Sequence, residues 1–158
     1  MFRCFPVTIR TLKSKARRMK KKNNLGLIVV DYLQLMQGDT KGNREQEIST
    51  ISRELKNLAQ ELDVPVIALS QLSREGVKNV TWDVSPPASS LRESGSLEQD
   101  ADLILMLWGA NEQEIAQNPL LDGKRRVRIV KQRNGVLLTI DLDFRSEIQL
   151  FQNTKIPF

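Results

Sequence analysis

The 158 residues include no histidine and one cysteine, Cys4. The first absence excludes His-dependent triads, His-ligated metals and imidazole acid–base chemistry. The second excludes an internal disulfide framework and a cysteine-rich zinc site. No apolar stretch approaches the roughly 18 residues that a membrane-spanning helix needs, and the early basic residues are not followed by the long apolar run of a secretory signal. No fixed-period repeat or low-complexity tract is present. What remains is a globular composition, with 40% hydrophobic and 27% charged residues, at a length that fits one domain.

Charge is unevenly spread. Residues 1–24 carry nine lysines and arginines and no acid, whereas the rest carry 15 basic and 19 acidic side chains. The net charge of +5 therefore comes from one end of the chain. A basic segment of this kind attracts nucleic acid or an anionic surface. The plainer reading is a solvated helix face or a frayed terminus.

Ile9, Leu12, Ala16 and Met19 recur at helical spacing, so a basic amphipathic helix is expected over about 8–22, ending at Asn23 and Asn24. Leu27-Ile28-Val29-Val30 reads as a strand buried on both faces. Residues 37–43 are loop chemistry. Ile48, Ile51, Leu55, Leu58 and Leu62 form one apolar stripe on a helix of about 44–62. After Pro65, residues 66–70 read as a second buried strand, and strand–helix–strand implies parallel pairing. Residues 74–96 form a long polar segment, of a length that in a compact domain is usually functional or disordered. A third apolar run covers 103–108, and 109–123 is a surface excursion with a short helix. Alternating runs at about 125–132 and 137–143 flank Asn134-Gly135, a strong hairpin signal.

Four features could carry chemistry. Asp31 follows a buried apolar strand, which is the Walker-B pattern; at that sheet edge a carboxylate can act on Mg²⁺ beside nucleotide phosphates. The plainer reading is an Asp capping the next turn. Gln71 stands at the end of the second strand, where it can bond a phosphate or a water, or simply face solvent. Lys131 and Arg133 are two apart before a turn and expected on one face of a strand. They can meet a phosphate of another subunit, or can guard a sheet edge against aggregation. In the segment Leu91-Arg92-Glu93-Ser94-Gly95-Ser96, Arg92 can contact phosphate and Gly95 allows close backbone approach. Its plainer reading is a turn into a short helix capped by Ser96, with Asp100 and Asp102 favouring the helix start.

Together and in order, these blocks resemble the carboxyl-terminal motor domain of the bacterial DnaB-type replicative helicases, a RecA-like hexameric family. The resemblance is carried by KSKARRMK (13–20), LGLIVVDYLQLM (25–36), REQEISTISRELKNLAQELDVPVIALSQLSR (44–74), LRESGSLEQDADLILML (91–107) and KQRNG (131–135). It runs from about Pro6 to Phe151. The Leu91–Asp102 and Lys131–Gly135 blocks set it apart from recombination or clock-type RecA-like ATPases.

The resemblance implies an α/β fold: a RecA-like, mostly parallel sheet flanked by helices, ending in an antiparallel hairpin, with the N-terminal part of the motor domain absent. It implies ATP and Mg²⁺ as cofactors, with Asp31 acting on the metal and Gln71 sensing phosphate. Lys131 and Arg133 would reach the γ-phosphate held by a neighbouring subunit of a homo-hexamer. Arg92, Glu93 and Gly95 would hold single-stranded DNA in a central channel. It also implies a helicase loader and a primase as partners, no membrane, and a bacterial cytoplasm or plastid stroma.

The sequence departs from the family in three ways. No G-x-x-x-x-G-K-[ST] phosphate loop occurs in it, and the family's catalytic Glu precedes the region present. Residues 1–5 do not resemble the family. Val136-Leu137-Leu138 replaces the usual small turn-forming stretch and is expected to tighten the hairpin. The chain therefore reads as either part of a working helicase or a truncated, ATPase-inactive remnant that binds DNA or subunits.

Overall fold

Helix α1 (Ile9–Asn23) forms close to its expected bounds. The Thr8 hydroxyl oxygen caps its start by accepting from the Thr11 amide at 3.2 Å. Asn24, in the left-handed conformation that asparagine tolerates better than most residues, ends it. Lys20, Lys21 and Lys22 occupy its last turn, where they complement the helix dipole. The computed structural model describes residues 7–38, 43–73, 75–91 and 95–154. These fall into two units, one from the described residues of 1–73 and 91–101, the other from those of 74–90 and 102–158.

In the first unit, strand β1 (Val7–Thr8) leads into α1. Strand β2 (Ile28–Val30) is followed by a 3-10 turn and by β3 (Met36–Gln37), which pairs in parallel with β1. Neither β1 nor β3 was expected, because two-residue strands leave no periodic trace. Helix α2 (Arg44–Leu62) then crosses back. Its start is capped by the Asn43 side chain, which accepts from the Glu45 amide at 3.3 Å, and Asp63 ends it in a left-handed conformation. Strand β4 (Val66–Ala68) lies parallel to β2, with Val30 opposite Ala68, as the strand–helix–strand pattern predicts.

The expected apolar stripe of α2 is the centre of the core. Ile48, Ile51 and Leu58 are fully buried and cluster with Ile9, Ile28 and Leu33. Helix α1 is tied to α2 by a two-pronged Arg17–Glu61 contact at 2.6 and 2.7 Å and by a Lys13–Glu54 ion pair. Part of the N-terminal positive charge thus serves helix packing.

Burial on both faces, expected for β2 and β4, is not observed. Val29 is 57% and Ile67 53% exposed, while Ile28 and Val30 are buried. The physical reason is that the core of this unit packs against one face of the strand pair and leaves the other open.

Short helix α3 (Gly95–Asp100) completes this unit. It begins one residue before Ser96, so Ser96 is not its cap. Instead the Ser96 hydroxyl donates to Ser49 Oγ at 2.8 Å, and the Ser52 hydroxyl donates to Asp100 Oδ2 at 2.7 Å. Asp100 therefore sits at the far end of the helix rather than favouring its start, because bonds to α2 outweigh the dipole preference.

The second unit is a four-stranded antiparallel sheet in the order β5 (Leu103–Trp108), β6 (Lys124–Gln132), β7 (Thr139–Arg145) and β8 (Leu150–Asn153). Between β5 and β6 lies α4 (Glu112–Gln117), opened by a reciprocal Asn111–Glu114 capping box. The β6–β7 ladder ends at Arg128 opposite Thr139. One further backbone bond runs from the Ile129 amide to the Leu138 carbonyl at 2.9 Å; past it β6 continues against β5, with Lys131 opposite Ile104 after a register shift. The connection around Asn134-Gly135 is therefore wide, and Val136–Leu138 are exposed rather than tightening it. The antiparallel ending is present, in a broader form than a two-strand hairpin.

Leu58→Ala is expected to destabilise the first unit by about 2–5 kcal/mol, the usual cost of emptying a fully buried leucine site. Urea denaturation checks this as a lower midpoint at an unchanged slope.

Candidate functional site

Parallel pairing of β2 and β4 brings their carboxyl ends to one edge. Asp31 follows β2 directly and is exposed; its peptide bond to Tyr32 is cis. Pairing continues past the strands. The Leu69 amide donates to the Val30 carbonyl at 2.9 Å, and the Leu33 amide donates to the Leu69 carbonyl at 2.9 Å. The turns carrying Asp31 and Gln71 are thereby held side by side.

Gln34, which sequence reasoning did not single out, joins the two turns. Its side-chain Nε2 donates to Ser70 Oγ at 3.0 Å, and its Oε1 accepts from the Gln71 amide at 3.4 Å. The Gln71 backbone is thus anchored while the residue stays exposed. Arg44 secures this turn from behind, donating to the Gln34 carbonyl at 2.8 Å and the Met36 carbonyl at 3.2 Å. It also pairs with Glu47, whose carboxylate accepts the Gly38 amide. The available signals were a glutamine inside the apolar run 33–36 and an arginine at the first position of α2. A cation there opposes the helix dipole and therefore implies a tertiary partner.

Lys131 and Arg133 belong to the other unit. Lys131 lies on β6, but Arg133 lies one residue beyond its end, in the turn rather than on the strand face expected. The Arg133 amide donates to the Asp102 carbonyl at 3.1 Å, and its guanidinium pairs with Asp102 Oδ1 at 3.2 Å.

Toward the other end of β6 stands another cation that sequence reasoning missed. Arg126 pairs with Asp141 at 2.8 Å and Asp83 at 2.9 Å, and donates to the Trp82 carbonyl at 2.8 Å. Its guanidinium also lies 4.1 Å from the centre of the Trp82 ring, a cation–π contact. The Trp108 indole donates to the Thr81 carbonyl at 3.0 Å, and Arg128 donates to Ser85 Oγ at 2.8 Å. Part of the long polar segment 74–96 is thus fastened to the sheet. The signal for this was the pair of tryptophans facing an arginine-rich strand.

Arg92 and Glu93 lie outside the described residues. Gly95 is the first residue of α3, and a Cβ built there would meet nothing within 4 Å. Among the described residues, no group of three or more His, Cys, Asp or Glu could hold a metal by itself. No described helix is long and apolar enough to cross a membrane.

A family model, the DnaB-like helicase C terminal domain, matches residues 4–153. The chain belongs to this family. It is 45% identical over 156 residues to the replicative DNA helicase DnaC of Bacillus subtilis, covering 96% of this chain and 33% of that protein. The replicative DNA helicase DnaB of Geobacillus stearothermophilus is similar to the same degree, 45% identical over 156 residues, with 96% of this chain and 33% of that protein covered. Among solved structures, the chain is similar to a DnaB-like replicative helicase described with its interactions with primase. That likeness has a TM-score of 0.85 at 39% identity and covers 98% of this chain and 37% of the other. The chain spans about a third of the length of the curated relatives it matches.

Within this DnaB-like domain, Glu47 titrates abnormally. Burial pushes its carboxyl up, but the Gly38 amide and the Arg44 guanidinium together outweigh burial and hold it below the ordinary 4.5. A carboxyl with a lowered folded pKa stabilises the fold above its unfolded pKa, and that stabilisation is lost as pH falls through the folded value. Glu47→Gln is therefore expected to flatten the acid side of the stability curve, measured by urea denaturation between roughly pH 3 and 7.

Proposed function

We propose that these residues are the C-terminal part of the motor domain of an ATP-dependent replicative DNA helicase, which translocates on single-stranded DNA as a hexamer and unwinds the duplex at the fork. The observation that carries this reading is the β2–β4 pairing, which brings Asp31 and Gln71 to one carboxyl edge, the usual ligand edge of such sheets. Asp31 is an exposed hard oxygen donor at the edge that also carries the Gln34–Ser70 contact, and such a carboxylate fits Mg²⁺. With no all-protein metal cage among the described residues, the ion would be shared with the phosphates of ATP, as is usual for Mg²⁺. Bound there, Mg²⁺ neutralises charge on the phosphates.

In this reading Gln71 contacts phosphate or its attacking water from an anchored backbone. Lys131 and Arg133 reach the γ-phosphate of the neighbouring subunit, where Arg133 stabilises charge developing on the transferring group. Arg92, Glu93 and Gly95 hold the single-strand backbone by charge and hydrogen bonds, without reading bases. A loader and a primase are the partners, and a bacterial cytoplasm or plastid stroma is the setting. Arg133→Ala in the assembled ring is expected to abolish hydrolysis while ATP still binds. Steady-state turnover beside nucleotide binding checks this, and retained turnover would overturn the role.

A second reading is favoured by one feature of the sequence: no G-x-x-x-x-G-K-[ST] occurs among the 158 residues. Acting alone, they would bind single-stranded DNA or helicase subunits without hydrolysing ATP. The intact mass of the endogenous protein separates the two. A mass of 18.0 kDa favours the second reading, and there DNA binding should fall steeply with salt. A mass several-fold larger favours the first.

A further inference from the structure

We infer that Asp102 is a positioning residue for Arg133: a carboxylate that holds the guanidinium at rest and yields it to the terminal phosphate of a neighbouring subunit's nucleotide. The inference rests on the reading of Arg133 given above.

Two contacts join these residues, and they differ in strength of hold. The backbone bond from the Arg133 amide to the Asp102 carbonyl, at 3.1 Å, anchors the turn that follows β6. The side-chain pair is at 3.2 Å, with the two side chains 59% and 57% exposed. An ion pair so open to water is held weakly and exchanges easily. Arg126, on the same strand, is the contrast. It is only 20% exposed and shared among Asp141, Asp83 and Trp82, so its guanidinium is committed to structure. The Arg133 turn therefore has a fixed backbone and a side chain whose ion pair exchanges.

A terminal phosphate offers more charge than one carboxylate and several acceptor oxygens matched to the guanidinium fork. It can displace Asp102 with no covalent bond made or broken. Asp102 then acts in two ways. It holds the Arg133 guanidinium beside its own carboxylate at the end of β6, and it competes with nucleotide for that cation.

The test uses the full helicase ring that carries this domain, with binding of ATP read at equilibrium and turnover read separately. Asp102→Asn keeps side-chain size but removes the charge. It is expected to tighten ATP binding by up to about fivefold, the limit set by an exposed pair. Asp102→Glu should keep wild-type affinity. In an Arg133→Ala background, Asp102→Asn should change nothing. Unchanged affinity in Asp102→Asn alone overturns the inference. The same tightening with Arg133 absent also overturns it, because Asp102 would then act through local field or fold. If Arg133→Ala still turns over ATP, the reading of Arg133 itself fails. If Arg133→Ala is inactive and Asp102→Asn is silent, only the role of Asp102 fails.

Discussion

The register between β2 and β4 is the constraint on which the first unit depends. Val30 faces Ala68, and the bonds from Leu69 to Val30 and from Leu33 to Leu69 carry the pairing beyond both strands. A slip of one residue would turn Ile28 and Val30 out of the core and Val29 into it, since side chains alternate along a strand. The same slip would carry Asp31 away from the Gln71 turn. Core packing and the juxtaposition of Asp31 with the Gln71 turn therefore depend on the same register. Helix α2 enforces it from one side through Ile48, Ile51 and Leu58, and Gln34 enforces it from the other by bonding Ser70 and the Gln71 amide. Moving this edge would expose the core.

What could be read from the sequence divides along physical lines. Helix α2 matches its expected bounds of about 44–62, because its apolar stripe is a local signal bounded by loop chemistry before it and Pro65 after it. The parallel pairing of β2 and β4 followed from connection length. Burial on both faces did not follow, because a continuous apolar run records what a strand can tolerate and not what covers it. The start of α3 was misjudged for a similar reason: Ser96 and Asp100 have good capping chemistry, but Ser49 and Ser52 on α2 claim them. Strand β8 was missed because it is four residues long and is entered through Gln149, whose left-handed conformation has no glycine or asparagine to announce it. Of the candidate site, Asp31 and Gln71 were visible as polar residues at strand ends. Gln34 and Arg44 were not, because their importance lies in bonds to backbone groups distant in sequence.

The arginines of the second unit show why residue type and spacing underdetermine a role. Arg126, Arg128 and Arg133 lie on or just past one strand, and each could have been assigned to phosphate on charge alone. Their surroundings separate them. Arg126 is held by two carboxylates, a carbonyl and an indole ring, so leaving would break all of these contacts at once and the position is structural. Arg128 bonds a serine on the segment that Arg126 also fastens. Arg133 has an exposed carboxylate beside it and an anchored backbone. A cation that must meet a ligand from another molecule has to be oriented without being committed. Of Arg126 and Arg133, the turn after β6 satisfies both conditions, because its backbone bond supplies the orientation while solvent keeps the ion pair weak. The same argument bears on α1. Arg17 and Lys13 are spent on Glu61 and Glu54, so the basic helix contributes to packing before it contributes to any anionic partner, and total charge overstates what it can offer.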